Sequence, residues 1–442
     1  MKHLLHLILL LLLLPTLPGQ SQQASLYFPP ASGTWAATSP QSLGWCQPQL
    51  DSLDAFLGRK RTKSFVVLKN GQLVVERYYG TFTQDSVWYW ASAGKSLTAT
   101  LVGIAQQEGL LSLTDSTTRH LGRGWTAAPA AKERLITVRD QLMMTTGLDD
   151  TPPAPCDNES TTASCLLYRA DAGSRWAYHT GPYRLLQDVL ADASNLSINQ
   201  YTSRKLTGRI GMSGLWRNDV YYSRARDMAR FGLLMLARGT WNGTPILQDT
   251  TYFRRMTTPS QAFNRSYGYL WWLNGQASYR LPGPQQTTFP GPIIPTAPAD
   301  LIAALGKNDQ KIYVVPSLGL VVVRQGQSAG DSRLALSSFD AQLWRYLMAA
   351  IQCRPLAVAA GPAATSLPLY PNPATTTLTI GARASSHSLR LLDARGRAVR
   401  QWVAPATAET TVSVAGLAPG LYLMQWLDTR GGVLATRKLQ KQ

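Results

Sequence analysis

The chain has 442 residues, 45% of them hydrophobic, with 43 Lys and Arg against 25 Asp and Glu and a formal net charge of +18. That length carries one large domain plus a small one, and the composition excludes a collagen-like, coiled-coil or globally disordered chain. The basic residues are scattered, without a run of five Lys or Arg and without a zinc-finger or RNA-binding signature, so they read as surface charge rather than a nucleic-acid site.

Lys2 precedes an apolar core over residues 4–14 that only His6 interrupts, and small and polar residues follow at 15–23. The run is too short to cross a bilayer and reads as a secretory signal peptide over residues 1–20, with no second long apolar run to serve as a stable membrane span. Export puts Cys46, Cys156, Cys165 and Cys353 in an oxidising compartment, where four cysteines allow three pairings. A short polar loop favours Cys156–Cys165, leaving Cys46–Cys353 to tie the ends of the large domain. No CxxC pair is present, so a thiolate zinc site is not expected.

Residues 21–45 form a Ser/Pro/Gly-rich lead-in, and a folded region is expected over 46–353. It opens with a helix at 50–57. Strands at 64–68 and 73–79 follow, and Asn70-Gly71 between them signals a tight hairpin. Apolar residues at helical spacing predict helices at 92–107, 138–144, 182–193 and 225–237. Strands are predicted at 267–272, 311–315 and 318–324, and a closing helix at 334–351. Strands at both ends with helices between predict an α/β (α+β) domain with one mixed sheet and a helical insertion. An Ala/Pro/Gly-rich linker over 354–368 leads to a tail, 369–442, with apolar–polar alternation and turn signals about every 8–12 residues, which predicts a small β-sandwich.

The tetrapeptide Ser92-Ala93-Gly94-Lys95 places a hydroxyl and an amine three residues apart, on one face of a helix. Partial burial would lower the lysine pKa and let it draw the serine proton, and a helix N-terminus would help to stabilise an oxyanion. Gly326-Gln327-Ser328-Ala329-Gly330 fits a nucleophile elbow, but the only histidine after it is His387 in the tail, so it reads as a turn. Between signal and tail the histidines are His120 and His179, too few for a histidine-rich zinc site and ill suited to a Ser-His-Asp triad, which favours a lysine-based mechanism. Arg226 and Asp227 read as helix-capping and pairing residues. Trp271-Trp272 reads as core and site wall together. The sequons at Asn158, Asn195, Asn242 and Asn264 read as incidental.

Residues 50–350 resemble the serine β-lactamase and penicillin-binding-protein superfamily, especially its class C-like esterase and amide-hydrolase branch, similar to 6-aminohexanoate-dimer hydrolase. The resemblance rests on Ser92-Ala93-Gly94-Lys95-Ser96, on Leu142-Met143-Met144-Thr145-Thr146-Gly147-Leu148, on Tyr178-His179-Thr180-Gly181, on the run from Ser223 to Gly232, and on Gly306-Lys307-Asn308-Asp309-Gln310. It implies a β-lactamase-like mixed antiparallel sheet. By resemblance Ser92 is the nucleophile, Lys95 its base partner and Tyr178 the relay to the leaving group. Lys307, Asn308 and Gln310 are substrate-binding, with the backbone N–H near Gln310 completing an oxyanion hole. Thr180 stands where the second motif ends in Asn, and Asp309 replaces the third motif's Gly. Both departures argue for an esterase or small-amide hydrolase over an efficient β-lactamase.

The tail resembles the C-terminal sorting domain of the type IX secretion system of Bacteroidetes, on Tyr370-Pro371-Asn372-Pro373-Ala374, residues 391–396, Leu417-Ala418-Pro419-Gly420-Leu421-Tyr422 and Arg437-Lys438-Leu439. That implies the secretion machinery as a partner. A carbohydrate-binding or adhesive sandwich is the other reading of the tail, and no exposed aromatic platform speaks for it.

The sequence therefore predicts a secreted or surface serine hydrolase acting on a small ester or amide through a Ser92 acyl-enzyme, with no metal or organic cofactor. A β-lactamase or D-alanyl carboxypeptidase is the first rival, and turnover of a chromogenic cephalosporin separates it. The second is a non-catalytic sensor or adhesin, which a serine-directed fluorophosphonate would leave unmodified.

Overall fold

The computed structural model describes residues 25–330, 336–353, 367–383, 385–404 and 408–442. The expected signal peptide, most of the expected linker, and residues 334–335 of the expected closing helix lie outside the described residues. The chain divides between residues 353 and 354 into two compact units.

The first unit is built on a six-stranded antiparallel sheet. Its strands in chain order are β1 (Thr62–Lys69), β2 (Gln72–Tyr78), β3 (Trp272–Leu273), β4 (Ile302–Gly306), β5 (Gln310–Val315) and β6 (Leu320–Gly326), and their order in space is β2-β1-β6-β5-β4-β3. Asn70 and Gly71 both adopt left-handed φ, as the tight turn joining β1 to β2 requires. β1 then pairs with β6, Phe65 opposite Arg324 and Val67 opposite Val322, so the two ends of the unit meet in one sheet. Every residue of β5 and β6 is buried, which requires cover on both faces.

Helices α1 (Gln47–Arg59), α2 (Gly94–Gln107), α3 (Val138–Met143), α4 (Thr180–Ser194), α5 (Ala225–Leu236) and α6 (Ser338–Ile351) supply that cover and the insertion. α5 packs against β1, β5 and β6, while α1 pairs with α6 and Phe56 stacks on Phe339 at 5.6 Å. Cys46 and Cys353 are bonded at the start of α1 and just past the end of α6, with Cα atoms 5.8 Å apart. Cys156 and Cys165 form the second disulfide. Arg226 forks onto Glu76 with two 2.7 Å bonds, and Asp227 accepts from the Arg224 N–H at the head of α5, the pairing and capping roles expected of them.

Two parts of the central sheet differ from expectation. Residues 267–272 do not form a strand: Leu270 takes a left-handed φ of 57°, which breaks the extended run and leaves only Trp272–Leu273 in the sheet. β4 was not expected. Its Ile-Ala-Ala-Leu-Gly run is buried throughout and carries no alternation to betray a strand.

The tail has its own core, including Leu378, Ile380, Leu389, Leu391, Met424, Trp426 and Leu439. Strands Leu369–Tyr370, Thr377–Ile380 and Thr410–Ser413 form one antiparallel sheet, and Ser388–Leu392, Ala398–Val403, Gly420–Leu427 and Val433–Lys441 form the other. This is the small two-sheet β unit that the alternation predicts.

Candidate active site

Ser92 sits in a 3-10 turn, Ala91–Ala93, which leads directly into α2. The preceding Ala91 takes a left-handed φ of 48°, a conformation that costs a non-glycine residue on the order of 1 kcal/mol. Trp90 anchors this turn: its N–H donates to the Tyr221 carbonyl at 2.8 Å and its indole to Ser223 Oγ at 2.8 Å. The end of β4 presses on the turn from the other side. A Cβ on Gly306 would collide with the Trp90 carbonyl, so only glycine lets the segment that follows approach Ser92 this closely.

A cleft of about 380 Å³ opens here, lined by Ser92, Asp150, Thr151, Asn158, Glu159, Tyr178, Thr180, Pro282, Gly283, Pro284 and Lys307. Three residues singled out from sequence, Ser92, Tyr178 and Lys307, thus line one space. Lys95 lies one turn along from Ser92 and is 2% exposed. Its Nζ is 3.4 Å from Thr180 Oγ1, 3.9 Å from the Tyr183 ring centre and 5.2 Å from that of Tyr178. It pairs with no carboxylate among the described residues. Burial pushes its pKa well below that of an ordinary lysine, and the nearby charges of Arg184 and Lys307 act in the same direction, against a smaller opposing pull from Glu159. Thr180, the departure from the second motif's Asn, is the residue whose hydroxyl meets this amine.

Tyr178 is set by aromatic packing. It stacks on Trp272 at 5.9 Å and meets Tyr267 edge-on at 6.1 Å; Trp272 is buried behind it and is not among the residues that line the cleft, and Trp271 stacks on Phe231 in the core. Burial raises the Tyr178 phenol above its usual value, and the neighbouring Ser92 hydroxyl offsets part of that rise. The phenol is accordingly protonated at neutral pH.

The third motif is arranged differently from its sequence reading. Asn308 and Gln310 are not among the residues that line the cleft. Asn308 donates from Nδ2 to the Tyr89 hydroxyl at 2.8 Å. Gln310 is buried, donating to the carbonyls of Asn308 at 2.9 Å and Gly326 at 2.7 Å and accepting from the Gly326 N–H at 3.1 Å. Gln310 braces the turn after β4, where left-handed φ at Asn308 and Asp309 leaves backbone groups that need partners, while the Asn308 side chain ties the turn to Tyr89. Asp309 is wholly buried and points away from the cleft. It accepts from Ser337 Oγ at 2.6 Å and the Ala329 N–H at 2.8 Å, and pairs with Lys311 at 3.3 Å; Lys311 also meets Asp340 at 2.9 Å. The Ser328 segment is the outer layer of this brace, with Ser328 Oγ donating to the Gly330 carbonyl.

Asn158 and Glu159 are cleft residues that escaped the sequence reading. Asn158, passed over as an incidental sequon, donates to the carbonyls of Asp150 at 3.1 Å and Tyr178 at 3.0 Å and accepts from the Thr180 N–H at 3.0 Å. Its amide therefore clamps the tyrosine motif from both sides. Glu159, next to it, pairs with Arg184 at 2.7 Å and with Lys307 at 3.5 Å. The Cys156–Cys165 bridge closes the loop that carries both. The sequon and the bridge were the available signals, but neither indicates where the loop docks. A larger cleft of about 590 Å³, lined by Met235, Arg238, Phe253, Arg254, Asp300 and Ile302 among others, shares no residue with this one.

The antiparallel sheet with its flanking helices and helical insertion, and the motifs gathered at one end of α2, define a hydrolase of the β-lactamase fold. The Beta-lactamase family model matches residues 55–331, and the chain belongs to that family. The secretion system C-terminal sorting domain matches residues 368–441. Among solved structures, a Bacillus anthracis protein provisionally named a 6-aminohexanoate-dimer hydrolase matches at 20% identity and TM-score 0.57, over 74% of this chain and 90% of that one. A penicillin-binding-protein homologue from Caulobacter crescentus matches at 13% and 0.53, over 70% and 99%. A β-lactamase from Sulfitobacter matches at 19% and 0.51, over 72% and 98%. These likenesses establish the fold. No curated protein matches the chain. The sorting domain directs export through the type IX system to the cell surface or beyond, and two disulfides fit that location. No helix among the described residues is long and apolar enough to cross a membrane.

Proposed function

We propose that the protein is an exported serine hydrolase that cleaves a small ester or amide through an acyl-enzyme on Ser92. A buried lysine that pairs with no carboxylate among the described residues, one turn from a cleft-lining serine, carries this reading. Its depressed pKa makes the neutral amine, the form that can act as base, more available than in an ordinary lysine. Ser92 Oγ attacks the carbonyl carbon, and its proton passes to Lys95 Nζ. The negative charge that develops on the carbonyl oxygen is met by the backbone N–H of Ser92, at the turn that leads into α2. The protonated Tyr178 phenol gives its proton to the departing oxygen or nitrogen and is recharged from Lys95. Water then attacks the acyl-enzyme, its proton goes to the same base pair, and Ser92 is restored.

Thr180, in the place of the second motif's Asn and in contact with Lys95, supports an ester or small-amide substrate over a β-lactam, and the name of the Bacillus anthracis neighbour points the same way. Hydrolysis of p-nitrophenyl butyrate tests the roles. Ser92→Ala and Lys95→Ala are expected to lose about 10³-fold or more in kcat, and Tyr178→Phe to lose activity chiefly on amides, whose leaving group needs the proton. Retention of wild-type esterase activity by Ser92→Ala contradicts the proposal. Turnover of a chromogenic cephalosporin comparable with the ester would instead place the protein among the β-lactamases.

A further inference from the structure

The cleft that holds Ser92 has a charged end with an unusual composition. Lys307 stands there, and Arg184 lies behind Glu159. Two such cations would ordinarily form a subsite for a substrate carboxylate. Glu159 already occupies them. Its carboxylate meets Arg184 Nη2 at 2.7 Å through one oxygen and Lys307 Nζ at 3.5 Å through the other. Arg184 also holds the Glu159 backbone, donating from Nη1 to its carbonyl at 2.9 Å, so the residue is fixed by both main chain and side chain. The loop under it is closed by Cys156–Cys165 and docked through Asn158, which leaves it little freedom to swing away. The other acid of the cleft, Asp150, is buried and spent on Arg175 at 2.7 Å. Glu159 is therefore the cleft carboxylate that an incoming substrate meets, and it is about half exposed.

We infer that Glu159 is a built-in carboxylate that fills the cationic end of the cleft, so that the enzyme takes acyl substrates with no carboxylate in that position. The inference rests on the Ser92 acyl-enzyme reading. A carboxylate-bearing substrate must either displace Glu159 from Lys307 and Arg184 or sit beside it, and like charges so placed are costly. An uncharged acyl chain meets neither penalty.

The test uses the full exported chain and two esters of equal length, p-nitrophenyl hexanoate and mono-p-nitrophenyl adipate, and reads the ratio of kcat/KM for the anionic over the neutral ester. Wild-type protein is expected to show no preference for the adipate. Glu159→Gln is expected to raise the ratio about ten-fold, mostly through KM, because it frees Lys307 and Arg184 while keeping the side-chain shape. Adding Lys307→Gln to Glu159→Gln is expected to remove most of that gain. A wild-type protein that already prefers the adipate overturns the inference, and needs no variant. So does a Glu159→Gln ratio within two-fold of wild type, or a gain that survives loss of Lys307. Ser92→Ala run on both esters separates this outcome from failure of the underlying reading: if it still hydrolyses them, the chemistry belongs elsewhere, whatever the ratios.

Discussion

Replacing Asn158 with Ala should both destabilise the first unit and slow its chemistry. The side chain makes three hydrogen bonds, to the carbonyls of Asp150 and Tyr178 and from the N–H of Thr180, at 3.0 to 3.1 Å. Each is worth about 1 kcal/mol net, and the partners are part-buried, so the unpaired groups left behind find water only in part. The sum is about 2–3 kcal/mol. The backbone bond from the Gly181 N–H to the Asn158 carbonyl survives the substitution, so the loop should loosen rather than detach. Two of the three lost bonds hold the backbones of Tyr178 and Thr180, which carry the phenol and the hydroxyl, and misplacing such groups by about 1 Å costs up to about 10²-fold in rate. Urea unfolding, read beside kcat on p-nitrophenyl butyrate, should show a loss of about 2–3 kcal/mol and a fall in kcat of about 10- to 100-fold. A variant within 0.5 kcal/mol of wild type and equally active would refute the clamp.

His179 predicts acid sensitivity. It is buried, neither ring nitrogen has a hydrogen-bond partner in the structure, and burial lowers its pKa to about 4. The unfolded chain binds its proton near 6.5, so stability is intact above that pH and falls as pH drops from 6.5 through 4, by about 3 kcal/mol in all. His179→Leu should flatten this part of the urea-midpoint profile; identical slopes in both proteins would count against it. Lys95 must be neutral to act, so kcat/KM should rise with pH to a plateau reached well below 10.5, and Lys95→Arg, which cannot deprotonate, should be inactive. A rise centred at 10.5 would contradict the burial effect. The disulfides close loops with sequence separations of 307 and 9. Loop entropy gives about 5–6 kcal/mol for Cys46–Cys353 and about 3 for Cys156–Cys165. Paired Cys→Ser variants compared by urea unfolding should therefore differ by about 3 kcal/mol, and equal losses would refute that ranking.

What could be read from the chain is what local spacing encodes. Ser92 and Lys95 are one turn apart, and Tyr178 lies just before the helix that carries Thr180, so short-range geometry and motif context single them out as candidates. Asn70-Gly71 announces its hairpin through turn chemistry alone. The residues missed act across the fold. Glu159 reaches Lys307 from a separate loop, and its meaning appears only when that loop folds over the cleft. Asp309 was read as a cleft substitution because a motif has no direction. In the structure it turns inward, where Lys311, Ser337 and the Ala329 N–H wait for it. Gln310 was likewise expected at the substrate and is consumed by the carbonyls around its own turn. β4 was hidden because a strand buried throughout has no polar alternation, and the 267–272 run misled because a left-handed Leu270 breaks an otherwise β-prone sequence.

Treating the secreted protein with a fluorophosphonate and mapping the adduct by mass spectrometry tests the central assignment most directly. A single adduct on the peptide containing Ser92, absent in Ser92→Ala and slowed at low pH where Lys95 is charged, is the predicted result. An unlabelled wild-type protein, or an adduct on Ser328 or any other serine, would contradict it.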